Sequence, residues 1–255
     1  MSSGSKLLSV MVLTEDSGED AYATVHALAK EMLKLLVLGV RTDRVDFKPL
    51  ADPNARRAMH ANLWKSTNRF DQPNITLLIR SIATELLKDA GFVLYHIDGD
   101  RRWSQRESSE NVREFDRRIL QPIKAAIATR FPGSAADERI KRLRLLAPFY
   151  SIEAWLYQNT REARQLCTEE GCGSCGPKLD AWEANRASLD EVEQPKEALC
   201  LRDKHNARLA ASSYPASAVD GAEASFAHAV MGLLECDELT SLLQRTYVQE
   251  PPITA

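Results

Sequence analysis

The feature that most constrains this chain is a regular alternation of short apolar runs with longer stretches of three-and-four spacing. Residues 6–13 form a compact run of Leu, Val and Met, too short for a helix and closed by Thr14-Glu15-Asp16-Ser17-Gly18, so they predict a buried strand. Tyr22, Val25, Leu28, Met32, Leu33 and Leu36 then recur at helical spacing, with Ser17 as a cap upstream and Gly39 as the stop. Residues 44–50 alternate apolar and polar as a half-buried strand does. Residues 75–87 return to helical spacing, and residues 92–97 (Phe-Val-Leu-Tyr-His-Ile) are the strongest strand signal in the chain. A helical face of Val112, Phe115, Ile119, Ile123 and Ile127 precedes a turn at Pro132-Gly133 and a fourth strand at 142–146. Parallel neighbours need a crossover and a helix is the usual one. The alternation therefore predicts an α/β fold, a mostly parallel sheet with helices on both faces.

That pattern occupies residues 1–160, with residues 53–74 as a connecting insertion holding a short helix within 55–64. Residues 161–255 read as a Cys-containing, mainly helical C-terminal extension, with helical patterns near 198–211 and 222–243. An apolar share of 44% with 27% charged residues and only 11 Gly and 11 Pro excludes disordered and collagenous classes. No apolar stretch reaches the roughly 18 residues a bilayer span requires, and the N-terminus lacks a secretory cleavage pattern. A cytoplasmic protein with no membrane partner is expected. The net charge of -3 makes no global case for nucleic acid, but residues 101–144 hold 12 basic against 6 acidic residues, a local +6 that leaves -9 for the remainder.

Acidic residues fall at three strand ends: Glu15 and Asp16, Asp98 and Asp100, and Glu153. In an open parallel sheet the carboxyl ends lie along one edge, and ligands bind in the crevice outside it. Carboxylates converging there repel one another unless a cation neutralises them, and hard oxygen donors select Mg²⁺ or Mn²⁺. A metal so held favours phosphoryl-transfer chemistry. The plainer alternative makes these residues caps, a solvated turn and a first-turn acid.

The motifs Thr14-Glu15-Asp16-Ser17-Gly18-Glu19, His96-Ile97-Asp98-Gly99-Asp100 and Ser151-Ile152-Glu153-Ala154-Trp155-Leu156 resemble the Toprim domain of topoisomerases, primases and OLD-family nucleases, and more specifically the small RloB-like Toprim proteins of bacterial defence loci. The resemblance covers about residues 6–160. It implies catalytic roles for Glu15, Asp98, Asp100 and Glu153, with Glu15 as acid, base or metal ligand, Asp98 and Asp100 as the metal pair, and Glu19 as an accessory ligand. It further implies a metal-dependent nuclease acting on DNA or RNA in anti-phage defence, with an ATPase or other defence subunit as partner and homodimers as one assembly. Asp16 departs from the pattern, since many Toprim domains carry glycine directly after the first glutamate. That departure keeps open a regulatory or binding subunit without catalysis. A small-molecule phosphohydrolase is the third reading, disfavoured by the lack of a phosphate-binding glycine loop.

Arg101, Arg102 and Arg106 follow the central acidic pair, where phosphate contacts are needed, and Trp103 offers stacking. Arg113, Arg117 and Arg118 fit the solvated side of their helix equally well. Cys167-x4-Cys172-x2-Cys175 places three thiols among Gly171, Gly173 and Gly176, as in zinc knuckles, with Cys200 or His205 to complete four ligands. A redox pair or a glycine-rich loop with free thiols are the alternatives. His96 shares a strand face with Asp98, either as its support or as a core histidine.

Overall fold

The computed structural model describes residues 6–16, 19–99 and 109–246. Four parallel strands, β1 (Leu8–Thr14), β2 (Val45–Lys48), β3 (Gly91–His96) and β4 (Leu143–Leu146), form one sheet in the order β2-β1-β3-β4. β1 pairs with β2 from Leu8↔Val45 to Met11↔Lys48 and with β3 from Ser9↔Gly91 to Thr14↔His96, while β3 pairs with β4 from Val93↔Leu143 to His96↔Leu146. All four expected strands are present. β1 and β3 are apolar at successive positions because both sheet faces are covered. Val10, Val12, Phe92 and Leu94 enter one core, and Met11, Leu13, Val93 and Tyr95 the other.

The first core is closed by α1 (Glu19–Leu36), whose Val25, Leu28 and Met32 face the sheet. Gly39 follows at φ 76°, in the left-handed region that suits a stop after a helix. The second core is closed by α2 (Pro53–Arg57), α3 (Ala61–Trp64), α4 (Gln72–Leu86), α5 (Glu110–Phe115), α6 (Gln121–Ala128) and α7 (Ser134–Ile140). The single helix expected over 112–127 is interrupted by one wide turn, Asp116–Leu120. Pro122 has no N–H to donate, and the Gln121 N–H reaches back five residues to the Asp116 carbonyl. α7 lies between the Pro132-Gly133 turn and β4, where no helix was expected.

After β4 come α8 (Glu153–Leu156), α9 (Thr160–Glu169), α10 (Gly176–Ala184) and α11 (Pro195–Ala198), then α12 (Asn206–Ala211), α13 (Ala216–Asp220), α14 (Ser225–Leu234) and α15 (Asp237–Gln244). These helices share the first core with α1: Leu166, Leu209, Phe226 and Leu233 are buried in it. Buried polar links fix them. Trp155 Nε1 donates to Ser225 Oγ at 2.7 Å, Ser225 donates through N and Oγ to Asp190 at 2.6 and 2.7 Å, and Tyr214 Oη donates to the Trp155 carbonyl at 2.9 Å. Among the described residues, no helix is long and apolar enough to cross a membrane.

Candidate functional site

In the strand order β2-β1-β3-β4 the chain leaves β1 toward β2 on one side and later returns to β3 on the other. The carboxyl ends of β1 and β3 therefore flank the point where the winding reverses, where open parallel sheets leave a crevice. Glu15 follows β1 and Asp98 stands two residues beyond β3. The Asp98 N–H donates to Glu15 Oε1 at 2.5 Å, so parallel pairing brings together two acids 83 residues apart. Asp98 is 7% exposed, and its Oδ1 accepts the Ile152 N–H at 3.0 Å. Glu15 Oε2 is buried and has no hydrogen-bond partner among the described residues.

His96 lies behind this pair, fully buried, with Nδ1 at 3.2 Å from Thr14 Oγ1 and Nε2 at 3.4 Å from Asp98 Oδ1. The strand parity that put it beside Asp98 holds. Burial, then the charge of Asp98, raises the Glu15 carboxyl from its usual range to about 7, against the opposing influence of His96. Burial pulls the His96 pKa down, but the hydrogen bond and charge of Asp98 outweigh it, and the net direction is up. Glu15 and the imidazole thus hold protons more tightly than they would in water.

Gly99 sits beneath the loop after β4. A Cβ there would lie 2.1 Å from the Phe149 carbonyl oxygen and 2.5 Å from that of Pro148, so the glycine is required for close backbone approach. Ser109 Oγ donates to the Gly99 carbonyl at 2.6 Å, and Asn111 Nδ2 donates to the Asp98 carbonyl at 3.0 Å, tying the start of α5 to the strand end.

Glu153 opens α8 at the same sheet edge and is 2% exposed. Its carboxylate accepts from Ser151 Oγ at 2.6 Å and Asn206 Nδ2 at 3.1 Å, with Lys196 Nζ 3.9 Å away. Burial raises its pKa. A cavity of about 320 Å³ opens over it, lined by Asp16, Asp20, Lys196, Asp203 and Asn206 among others. A second cavity of about 520 Å³ lies beside the end of β1, where Thr14 and Asp16 meet Arg56, Arg57 and His60 from α2 and the turn after it. Glu15, Asp98 and Glu153 are not gathered within 4.8 Å of one another. Asp100, Arg101, Arg102, Trp103 and Arg106 lie outside the described residues, as does the side chain of Glu19. Arg117 and Arg118 pair with Glu114 at 2.7 and 2.6 Å, as the solvated side of a helix does.

Lys196, Arg56 and Arg57 were not singled out in the sequence. The signal for the arginines was an adjacent basic pair on a helix capped by Asp52, whose side chain accepts from the Asn54 and Ala55 N–H groups at 2.8 and 2.9 Å. Lys196 has no local signal, since only the fold brings it to Glu153. Asn206, left without a role in the sequence, reaches Glu153.

Away from the sheet edge, Cys167, Cys175 and Cys200 bring their sulfurs within 4.8 Å of one another and can hold a metal ion. The gathered triad is not the one expected from spacing: Cys200 stands in it and Cys172 does not, while His205 is engaged elsewhere, with Nδ1 accepting the Arg202 N–H at 2.9 Å and Nε2 3.1 Å from Glu170 Oε1. Compared with the models of known protein families, with curated proteins and with solved structures, the chain matches none.

Proposed function

We propose that the chain is a divalent-metal-dependent nuclease of Toprim type, hydrolysing phosphodiesters of DNA or RNA. The observation that carries the reading is the pair of half-buried Glu15 and buried Asp98 at the ends of adjacent parallel strands where the winding reverses, with the buried Glu15 Oε2 lacking a partner among the described residues. An unpartnered carboxylate oxygen beside a second acid suits a hard cation. Mg²⁺ or Mn²⁺ would be held by Glu15 and Asp98, with Asp100 and Glu19 as further donors from the sequence. Such an ion polarises a phosphate and lowers the pKa of bound water.

The chain's own groups supply the remaining parts. Glu15, raised to about 7, can take or release a proton near neutral pH. His96 Nε2 lies 3.4 Å behind Asp98 Oδ1, and Asn206 with Ser151 fixes the Glu153 carboxylate at the cavity floor. Lys196 on one side and Arg56 with Arg57 on the other offer phosphate contacts. Arg101, Arg102 and Arg106 are assigned the same role from the sequence. Anti-phage defence, an ATPase partner, a homodimer and a cytoplasmic setting follow from the sequence reading and the resemblance.

A second reading, a binding or regulatory subunit without catalysis, has one observation in its favour: Glu15 Oε1 and Asp98 Oδ1 are both already engaged by backbone N–H groups. Incubating the purified chain with labelled single-stranded and duplex DNA, plasmid, ribosomal RNA and tRNA, with Mg²⁺ or Mn²⁺, separates the two. Cleavage lost in Glu15→Gln and Asp98→Ala supports the nuclease. Metal binding without cleavage of any substrate supports the regulatory subunit.

A further inference from the structure

We propose that Cys167, Cys172, Cys175 and Cys200 bind a zinc ion as a closed tetrathiolate, and that this site clamps the segment carrying Lys196 and Asn206 against Glu153. The inference is independent of the nuclease reading.

Local structure prepares three of the ligands. α9 ends in a Schellman turn, in which the Gly171 N–H donates to the Thr168 carbonyl at 3.0 Å and the Cys172 N–H to the Cys167 carbonyl at 2.8 Å. Gly171 takes φ 70°, which a residue with a Cβ adopts at a cost. The turn folds Cys172 back over the last turn of α9, where Cys167 sits. Three residues on, Cys175 is the residue before α10.

Tertiary structure delivers the fourth. Cys200 Sγ lies 3.7 Å from Cys175 Sγ, and Cys172 Sγ lies 3.3 Å from Cys175 Sγ. Zinc–sulfur bonds of about 2.3 Å in a tetrahedron put sulfurs about 3.8 Å apart. Those two separations are on the scale of a zinc tetrathiolate, Cys167, Cys175 and Cys200 lie within 4.8 Å of one another, and Cys172, outside that triad, would turn in as the fourth ligand. All are free of disulfides; Cys167 and Cys175 are buried among apolar neighbours, Cys172 and Cys200 are half-buried, and four thiolates would fill every position of a tetrahedral zinc, so none would stay open as in a catalytic site. Zinc binding would release the thiol protons and requires no oxidant or reductant.

The clamp follows from where Cys200 sits in the chain. Lys196 stands four residues before it and Asn206 six residues after it, and both reach Glu153. Lys178 of α10 reinforces the connection by donating to the Ala198 carbonyl at 2.8 Å. A metal joining Cys200 to α9 and α10 would anchor the middle of that segment, between the two residues that line the 320 Å³ cavity.

The test uses the full chain purified under reducing conditions. Elemental analysis is expected to find one zinc per chain, released as a thiol-specific mercurial titrates the cysteines. Co²⁺ in its place should give the strong visible and thiolate charge-transfer bands of a tetrahedral tetrathiolate. Cys172→Ser and Cys200→Ser should lose zinc while Cys236→Ser keeps it. Because the serine variants can misfold, Cys200→His serves as the second measure: a folded protein with cobalt bands shifted toward a three-sulfur, one-nitrogen site supports the assignment. Hydrogen exchange over residues 196–206 should rise several-fold when zinc is removed, and unchanged exchange there would overturn the clamp. Zinc-free protein with all four thiols freely reactive, a Cys172–Cys175 disulfide in the reduced preparation, or a cobalt spectrum untouched by Cys200→His would overturn the site.

Discussion

The sheet edge and the thiol cluster both collect groups that bind metals, but they do so by different physics. Glu15 and Asp98 meet through long-range topology, since only the pairing of β1 with β3 brings them together. Three of the four thiols lie on one short stretch around the turn that ends α9, and Cys200 arrives from a distance to complete a triad with Cys167 and Cys175. Their surroundings differ as well. The carboxylates are crowded with like charge beside open cavities, whereas Cys167 and Cys175 are packed into an apolar core. Crowded buried acids are costly unless a ligand relieves the repulsion. Thiols in an apolar wall serve to hold chain segments together.

The largest effect expected is on catalysis. Removing either acid, in Glu15→Gln or Asp98→Ala, should lower metal-dependent cleavage by about a thousandfold or more, the scale of deleting a reacting group. Cys200→Ser, assayed on its folded fraction, should retain far more activity. Equal losses in both regions would erase the distinction between a reacting site and a structural one.

Stability should respond in the opposite sense. Cys200→Ser is expected to cost more than about 4 kcal/mol in urea unfolding with zinc present, as loss of a metal ligand does. Glu15→Gln should stabilise the metal-free protein, because it removes a buried, repelled carboxyl.

The pH dependence sharpens this. Glu15 titrates near 7 in the fold, against 4.5 in the unfolded chain, so between those values the folded state holds a proton that the unfolded state has released. Stability of the chelator-treated protein should fall as pH rises through that window, by up to about 3 kcal/mol. His96, displaced upward, contributes with the same sign, since its extra proton is also lost as pH rises. Melting curves between pH 4.5 and 8 should show the fall in the wild type and a shallower one in Glu15→Gln, and saturating Mn²⁺ should counteract it.

The smallest of these effects concerns the support beneath Asp98. Gly99→Ala should cost about 2 kcal/mol by forcing the backbone off the loop after β4. It should also weaken Mn²⁺ binding more than zinc binding, as titration of the two ions would show.

The sheet was legible in the sequence because each strand is a short apolar run with turn residues at its end, and a strand buried on both faces announces itself by composition alone. α9 and α10 were hidden for the opposite reason. α9 is largely charged and polar around buried Ala163, Leu166 and Cys167, while α10 buries Leu179 and Trp182, so the segment reads as a polar cysteine-rich knot. The acids at the strand ends were legible because topology forces them to one edge. Their side-chain partners were not, since the links of Glu153 to Lys196 and Asn206 depend on how the C-terminal helices pack against α1. The distinction applies within the thiol cluster too: spacing shows Cys172 and Cys175 as neighbours, but only packing selects Cys200 over His205.

The most direct test of the account is Mn²⁺ binding by electron paramagnetic resonance on the wild type, Glu15→Gln, Asp98→Ala and Cys200→Ser. The account predicts that the wild type and folded Cys200→Ser bind Mn²⁺ and that both acid variants lose it. A wild type that does not bind, or acid variants that bind as the wild type does, would contradict the claim that the β1/β3 strand ends form a divalent-cation site.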